Sequence, residues 1–433
     1  MPINEFQPPA GRSEGVSDKA GPASPPPIKQ HRFSEIRILM YSHDTFGLGH
    51  LRRCRAIAHA LVAQFKGVHV LIISGSQIAG AFDFKARVDF VKIPSVIKLY
   101  NGEYTSIGRH INIQETLEWR KEIIRSTAAS FDPDLFIVDK EPLGLKGELI
   151  PTLDMLKERG CRLVAGLRDV MDDAASLSAE WGRSDTLALM DRYYDDVWIY
   201  GPPGFWNPLA GLPVPQSLQK RLCYTGFLQR ETPTAQRSSL DSLPERYILV
   251  TAGGGGDGAP LMTSVLAGHA RDQDRQLPLV LVLGPFMRTG DRDEIRAMAS
   301  TLPSVHLIDF HPQTELLLSQ AAGVVSMAGY NTFCEILSLD KPALLVPRVK
   351  PRQEQLIRAK RAAELGLVAT LMPDQAADPD VMSAHLRALP DRTRPREAGA
   401  GQMLMGLERI RDEVRGYFEN ANRRDVFLHP AAE

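Results

Sequence analysis

The chain has 433 residues, 43% of them hydrophobic, with 51 basic and 52 acidic side chains and a net charge of −1. That length supports two domains with separate cores. The near-zero charge argues against a nucleic-acid binder, which needs a basic excess. No apolar run approaches the roughly 18 residues of a membrane span. The four cysteines, Cys54, Cys161, Cys223 and Cys334, are far apart in apolar surroundings. They read as reduced core thiols of a cytoplasmic protein rather than a zinc or redox pair.

Residues 1–34 are proline-rich, lack apolar periodicity and have no signal-peptide apolar segment, so they read as a disordered tail. Strands then alternate with helices. Ile36 to Tyr41, Val68 to Ser74, Val88 to Ile93, Leu135 to Asp139, Arg162 to Gly166 and Val197 to Tyr200 are buried-strand runs. A second series comprises Tyr247 to Thr251, Leu279 to Leu283, Val305 to Asp309, Gly323 to Ser326, Ala343 to Val346 and Val368 to Leu371. Between the two series, Asn207 to Leu243 breaks the alternation with prolines and polar residues. The expected fold class is α/β, with two Rossmann-like doubly wound domains facing across a cleft. The expected bounds are 35–225 for the N-terminal domain, 226–243 for the linker and 244–400 for the C-terminal domain. An amphipathic helix over 401–420 is expected to pack back at the domain junction.

The first candidate site lies where Tyr41-Ser-His-Asp-Thr-Phe-Gly-Leu-Gly49-His50 joins the first strand to a helix with the apolar face Leu51, Cys54, Ile57, Leu61 and Phe65. His50 sits at a helix start beside Gly49. The helix dipole disfavours its cationic form, which suits a base near neutral pH, although a mere capping or loop-bonding role is equally compatible. Asp139 and the pair Arg168-Asp169 end strands that face the same cleft. Asp139 fits a helix cap or turn former better than a partner for His50.

The second glycine loop, Gly253 to Gly258, satisfies G-x-G-x-x-G, so a nicotinamide-dependent oxidoreductase has to be weighed. The next strand, however, ends in Gly284-Pro285 with no carboxylate for a ribose, which weakens that reading. In the stretch Gly323 to Leu367 a strand runs into an Ala328-Gly329 turn that lets the backbone approach a ligand. The helix expected over Thr332 to Ser338 offers free N–H groups to an anion. Glu335 is placed either to accept sugar hydroxyls or to complete a Thr332-Phe-Cys-Glu335 capping box. The spacings Asp132-Pro-Asp134, Asp272-Gln-Asp274, Asp291-Arg-Asp293 and Asp378-Pro-Asp380 do not directly follow a predicted strand, so no metal is expected. No cofactor is expected either.

Taken together, Ser326, Gly329, Thr332, Glu335, Lys341-Pro342, Val346-Pro347 and Gln355 resemble the nucleotide-sugar half of GT-B glycosyltransferases, above all family 28. That family includes the N-acetylglucosaminyltransferase of peptidoglycan lipid-intermediate synthesis. The resemblance implies that Ser326, Gly329, Asn331 and Thr332 hold diphosphate, that Glu335 holds the nucleotide ribose, and that Gln355 reaches the donor sugar. It also implies that Gly255, Gly256 and Gly258 form a diphosphate loop, with Asp257 where the family has a polar pair, and that the backbone around Phe310 holds the base. Cys223 to Arg230 resembles the family's hinge motif, which makes Arg230 either a phosphate clamp or a solvated linker arginine. Arg358 and Glu354 depart from the Asn and Gln frequent in the family. The family's Gly-Gly-His turn corresponds to Leu48-Gly49-His50. Gly47-Leu-Gly-His50-Leu-Arg-Arg53-Cys54 also resembles the nucleotide-sugar hydrolase of pseudaminic acid synthesis, in which the histidine activates water.

The function implied is inverting, metal-independent transfer of a hexosyl group from a nucleotide-sugar donor to a glycan or lipid-linked acceptor hydroxyl, with His50 as base. The setting implied is the cytoplasm, with peripheral contact at the inner face of the membrane allowed by the resemblance and no nucleic-acid partner. A nucleotide-sugar hydrolase and a non-catalytic nucleotide-sugar binder remain alternatives.

Overall fold

The computed structural model describes residues 35–43, 49–98, 104–106, 112–231, 242–272 and 276–419. The proline-rich tail, Gly47-Leu48 of the first glycine loop and most of the expected linker lie outside the described residues. The described residues form one compact unit built on two parallel sheets.

The strands are β1 (Ile36–Ser42), β2 (Val68–Ser74), β3 (Val88–Lys92), β4 (Val96–Lys98), β5 (Tyr104–Ser106), β6 (Leu135–Asp139), β7 (Arg162–Arg168), β8 (Asp196–Tyr200) and β9 (Leu222–Tyr224). They continue with β10 (Ile248–Thr251), β11 (Leu279–Val282), β12 (Val305–Ile308), β13 (Gly323–Ser326), β14 (Ala343–Leu345) and β15 (Ala369–Thr370). The first sheet has the order β3-β2-β1-β6-β7-β8-β9 and the second β12-β11-β10-β13-β14-β15, with every pairing parallel. Helices cover the sheets, which is why the central strands read as continuous apolar runs instead of alternating ones. In β6, β10 and β13 every residue is buried.

Two features differ from the sequence expectation. The stretch that breaks the alternation after Asn207 still contains β9, which pairs with β8 as the first sheet's last strand. A small antiparallel pair, β4 with β5, stands apart from both sheets.

In each sheet the strand order reverses at one point, between β1 and β6 and between β10 and β13. Loops leaving the carboxyl ends of strands diverge there and leave a crevice, the general ligand position of open α/β sheets. Phe205, Phe227 and Phe333 pack at ring distances of 5.0, 5.3 and 5.8 Å and tie the two halves into a shared core. The helix Gly406–Glu419 returns to the first half. Its Tyr417 hydroxyl accepts from Trp198 Nε1 at 3.3 Å, its Arg411 donates to Gln64 at 3.3 Å, and the Tyr417 ring takes the Arg162 guanidinium 3.8 Å from its centroid. No described helix is long and apolar enough to cross a membrane.

Candidate functional site

The helix Gly49–Gln64 starts at the first switch point and buries Leu51, Cys54, Ile57 and Leu61 against the sheet. This orientation leaves His50 and Arg53, three residues apart and so on one helix face, over the end of β6. Asp139 is 1% exposed and takes both. His50 Nδ1 lies 2.6 Å from Asp139 Oδ2, while Arg53 Nε donates to Oδ1 at 2.8 Å and its Nη2 to Oδ2 at 2.6 Å. Asp139 is therefore not the cap or turn former that its strand-end position suggests. Its carboxyl, despite burial, is held below the usual carboxylate range by Arg53 and His50. An ionised Asp139 requires His50 Nδ1 to carry the proton, so Nε2 keeps its lone pair. The 3.2 Å approach of Arg53 Nη2 to the same Nδ1 is then a contact between donors, not a hydrogen bond. Burial pushes His50 down to about 4, and Asp139 only partly offsets it. The neutrality expected from the helix dipole is thus supplied by burial.

The second switch point faces this one. The helix following β13 runs Tyr330–Ser338, with Gly329 as its N-cap and no side-chain cap. It begins two residues earlier than expected, so Thr332 lies inside its first turn and the capping box does not form. The positive φ at the turn falls on Ala328 (φ 68) and not on Gly329, whose missing Cβ faces open space. A non-glycine residue there holds about 1–2 kcal/mol of strain, the kind of conformation that clusters at ligand sites.

Glu335 is 1% exposed. Arg52 Nη2, reaching over from the first half, stands 2.7 Å from its Oε1 but donates to Glu315 Oε1 at 2.7 Å. Both Glu335 oxygens are left without a hydrogen bond. Burial pushes this carboxyl up to about 7, although Arg52 pulls the other way.

Asn331 joins the halves, its Nδ2 donating to the Gly49 carbonyl at 2.9 Å and its Oδ1 accepting from Arg230 at 2.8 Å. Arg230 is 8% exposed, which removes the solvated-linker reading, and its Nη1 is buried without a partner. Ser326 and Thr332 are buried beside this turn, and Ser326 pairs in register with Thr251 at the end of β10.

In the second glycine loop, Gly255 (φ 84) is fixed by space, because a Cβ there would collide with the Leu283 carbonyl oxygen. The loop leads into the helix Ala259–His269, capped by Gly258. Gly256 is half-buried in the same loop. Asp257 turns aside to Arg348 Nη1 at 2.7 Å and does not cap the helix. Gln355 Oε1 accepts from the Arg348 backbone N–H at 3.1 Å, and Phe310 is half-buried against the core. Of the Asp-x-Asp aspartates, Asp378 caps the helix Pro379–Ala388 and Asp272 accepts from Arg387 at 2.8 Å.

Sequence reasoning set Arg168-Asp169 at the cleft and noted Arg358 only as a departure, and it missed the ion pair that joins Asp169 to Arg358 across the cleft. Arg358, 0% exposed, donates to both oxygens of Asp169 at 2.8 and 2.5 Å and to the Ala328 carbonyl at 2.9 Å. Tyr330 lies between the guanidinium groups of Arg53 (5.3 Å) and Arg358 (5.7 Å). Burial pushes Arg168 down to about 10, with Arg53 and Arg358 adding to the effect, and its Nε has no partner. The i, i+3 spacing of His50 and Arg53 was the available signal for the Asp139 cluster. Nothing in the sequence signals the pairing of Asp169 with Arg358.

Two doubly wound sheets presenting their switch points to one another, with a helix start from each meeting there, define the GT-B architecture. Residues 247–412 match the family model of the glycosyltransferase family 28 C-terminal domain, and this part of the chain is such a domain. The chain is a GT-B glycosyltransferase. Its fold is similar to that of MurG from Acinetobacter baumannii, at 14% identity and a TM-score of 0.53, covering 89% of this chain and 99% of that one. It is also similar to the glycosyltransferase VinC in complex with dTDP, at 17% identity and a TM-score of 0.56, covering 90% and 100%. A putative UDP-N-acetylglucosamine 2-epimerase from Listeria monocytogenes, at 16% identity and a TM-score of 0.57, covers 92% and 100%. At these identities the likeness is one of fold. A comparison with curated protein sequences finds no significant match.

Proposed function

We propose that the protein transfers a hexosyl group from a nucleoside-diphosphate sugar to an acceptor hydroxyl with inversion and without a metal ion, and that it works on the cytoplasmic side. The observation that carries this reading is His50. Its Nδ1 is committed to an ionised Asp139 and its Nε2 keeps a lone pair, directly across from the family 28 domain. The acceptor hydroxyl gives its proton to Nε2 as it attacks the anomeric carbon. The N–H groups opening the helices Tyr330–Ser338 and Ala259–His269, with Arg230, receive the charge that develops on the departing diphosphate. Glu335 accepts from the ribose hydroxyls. A binding panel of nucleoside diphosphates read by thermal shift tests the donor reading, since a selective ligand raises apparent stability by mass action. Absence of any response would contradict it. Sugar released at full rate without an acceptor would instead identify a hydrolase.

Glu335 offers a sharper check. Its folded pKa, about 7, lies above its ordinary 4.5, so the folded state prefers the protonated form. Ionisation therefore costs stability, and the cost accumulates as pH rises from 4.5 and is complete above 7. Glu335→Gln is expected to stabilise the protein at pH 8 by on the order of 3 kcal/mol while weakening nucleoside diphosphate binding. In the parent, binding is expected to weaken as pH falls below about 7, because the ribose needs the carboxylate. Denaturation and titration calorimetry at pH 6 and 8 measure both. Equal nucleotide affinity in parent and variant would remove Glu335 from the donor site.

Turnover is expected to survive EDTA, because helix termini and Arg230 take the place of a divalent ion on the diphosphate. Loss of activity on chelation with rescue by magnesium or manganese would contradict the metal-independent reading.

A further inference from the structure

A cavity of about 410 Å³ opens in the first half of the molecule, lined among others by His43, Tyr104, Glu141, Lys146, Glu180 and Trp181. Small-molecule sites typically span about 300–1,000 Å³. His43 follows β1 and is 4% exposed, with its ring centroid 5.7 Å from that of His50 in an edge-on arrangement.

The tautomer of His43 follows from its neighbours. Glu148 is a carboxylate held by Arg120, whose Nε donates to Oε2 at 2.7 Å and Nη2 to Oε1 at 2.6 Å. Tyr41 donates its single hydroxyl proton to Glu148 Oε1 at 2.5 Å, so toward His43 Nδ1, 3.2 Å away, its oxygen can only accept. His43 must therefore donate from Nδ1, and Nε2 is left with a lone pair. Burial also pushes this imidazole down to about 3, which keeps it neutral. Two chains of hydrogen bonds, Glu148-Tyr41-His43 and Asp139-His50, thus set two neighbouring imidazoles in the same state, each with Nδ1 protonated and Nε2 open.

Two carboxylates of the wall have the same sense. Glu141 pairs with Lys140 at 2.6 Å, and Glu180 accepts from Arg352 at 2.9 and 3.0 Å, leaving each carboxylate further lone pairs. With the Lys146 ammonium and the Ser184 and Thr186 hydroxyls as donors beside these acceptors, the wall suits hydroxyl groups, which do both. Tyr104 and Trp181 add aromatic surface.

We propose that this cavity binds the acceptor, a neutral polyhydroxylated molecule such as a sugar, and that His43 Nε2 receives one of its hydroxyl groups beside the base His50. The assignment rests on the transferase reading, because only a transferase needs a second substrate here. Its role for His43 is binding and orientation, with proton removal left to His50.

The test uses the full chain with its histidine rings labelled with ¹⁵N. Methyl hexopyranosides and, separately, uridine and thymidine diphosphate serve as probes. Expected is a glycoside-dependent shift of the His43 Nε2 resonance that neither nucleotide reproduces. His43→Asn keeps an N–H donor for Tyr41 but has no nitrogen at the Nε2 position. It is expected to bind glycoside about tenfold more weakly, the effect of one lost hydrogen bond, with nucleotide affinity and melting temperature unchanged. If no glycoside of the panel moves the His43 resonances, or if the folded variant binds glycoside like the parent, the proposal is overturned. The parent's resonances decide alone should the variant not fold. Glycoside binding at His43 with no binding of either nucleotide would support the cavity assignment and count against the donor reading.

Discussion

His50→Ala is expected to lower turnover by about 10² to 10⁴, the usual range for a positioned proton acceptor, while leaving donor binding nearly intact. The nucleotide is assigned to the opposite half of the molecule, so binding and proton transfer separate physically. His50→Gln is expected not to rescue, since an amide donates to Asp139 as the imidazole does but cannot take a proton. A histidine that merely tied the loop to Asp139 would give the reverse, with Gln preserving both fold and rate. The pH profile is a second readout. Because burial holds His50 down at about 4, the base is already neutral at pH 6. At saturating donor, where the effect of Glu335 on binding drops out, turnover is expected to fall only as pH drops through about 4, in a single proton step. Equal rates for parent and His50→Ala with a working acceptor would end the proposed mechanism without touching the nucleotide site.

Asp169→Ala is expected to destabilise the protein by about 3–5 kcal/mol, the range for removing one partner of a buried ion pair. Asp169 and Arg358 are both within 1% of full burial, and Arg358 has the Ala328 carbonyl as its remaining acceptor. Removing the carboxylate strands a guanidinium in the interior, and that penalty, not the intrinsic strength of the pair, sets the size of the effect. The double change Asp169→Leu with Arg358→Met is expected to recover most of the loss, because two apolar side chains leave no charge to solvate. Chemical denaturation of the two variants beside the parent measures this. A single variant as stable as the parent would show that water or a rearranged neighbour reaches Arg358.

The strand series was legible because parallel strands buried on both faces leave unbroken apolar runs, as in Leu135–Asp139 and Gly323–Ser326. β4, β5 and β9 were not, being three residues each, and β9 also lies among prolines that favour a loop reading. His50 was readable from its strand-glycine-helix setting. Its partnership with Asp139 was not, since the two lie 89 positions apart and a strand-end aspartate carries a stronger local signal as a cap. The Thr332-Glu335 spacing misled because tertiary packing starts the helix at Tyr330, where Gly329 supplies the cap geometry by backbone alone. Glu335 was singled out from its spacing, but its burial without hydrogen bonds and its nearness to Arg52 belong to the packing of two remote segments.

The chain passes from the first half to the second after Thr225 and returns at Met403 to Gly406, and these two passages are laced together. Phe227 donates to the Met403 carbonyl at 2.7 Å, and the Gly406 N–H donates back to Phe227 at 3.0 Å. Gly226 sits there at φ 94, and a Cβ on Gly406 would come within 2.6 Å of its carbonyl oxygen. The two passages between the halves thus lie side by side, and any opening of the halves is expected to turn about them. Parting the cleft to admit a nucleotide past Arg52 and Asn331 is then a swing about Gly226 and Gly406. Any side chain larger than hydrogen at position 406 would press on the Gly226 and Phe227 carbonyl oxygens of that junction.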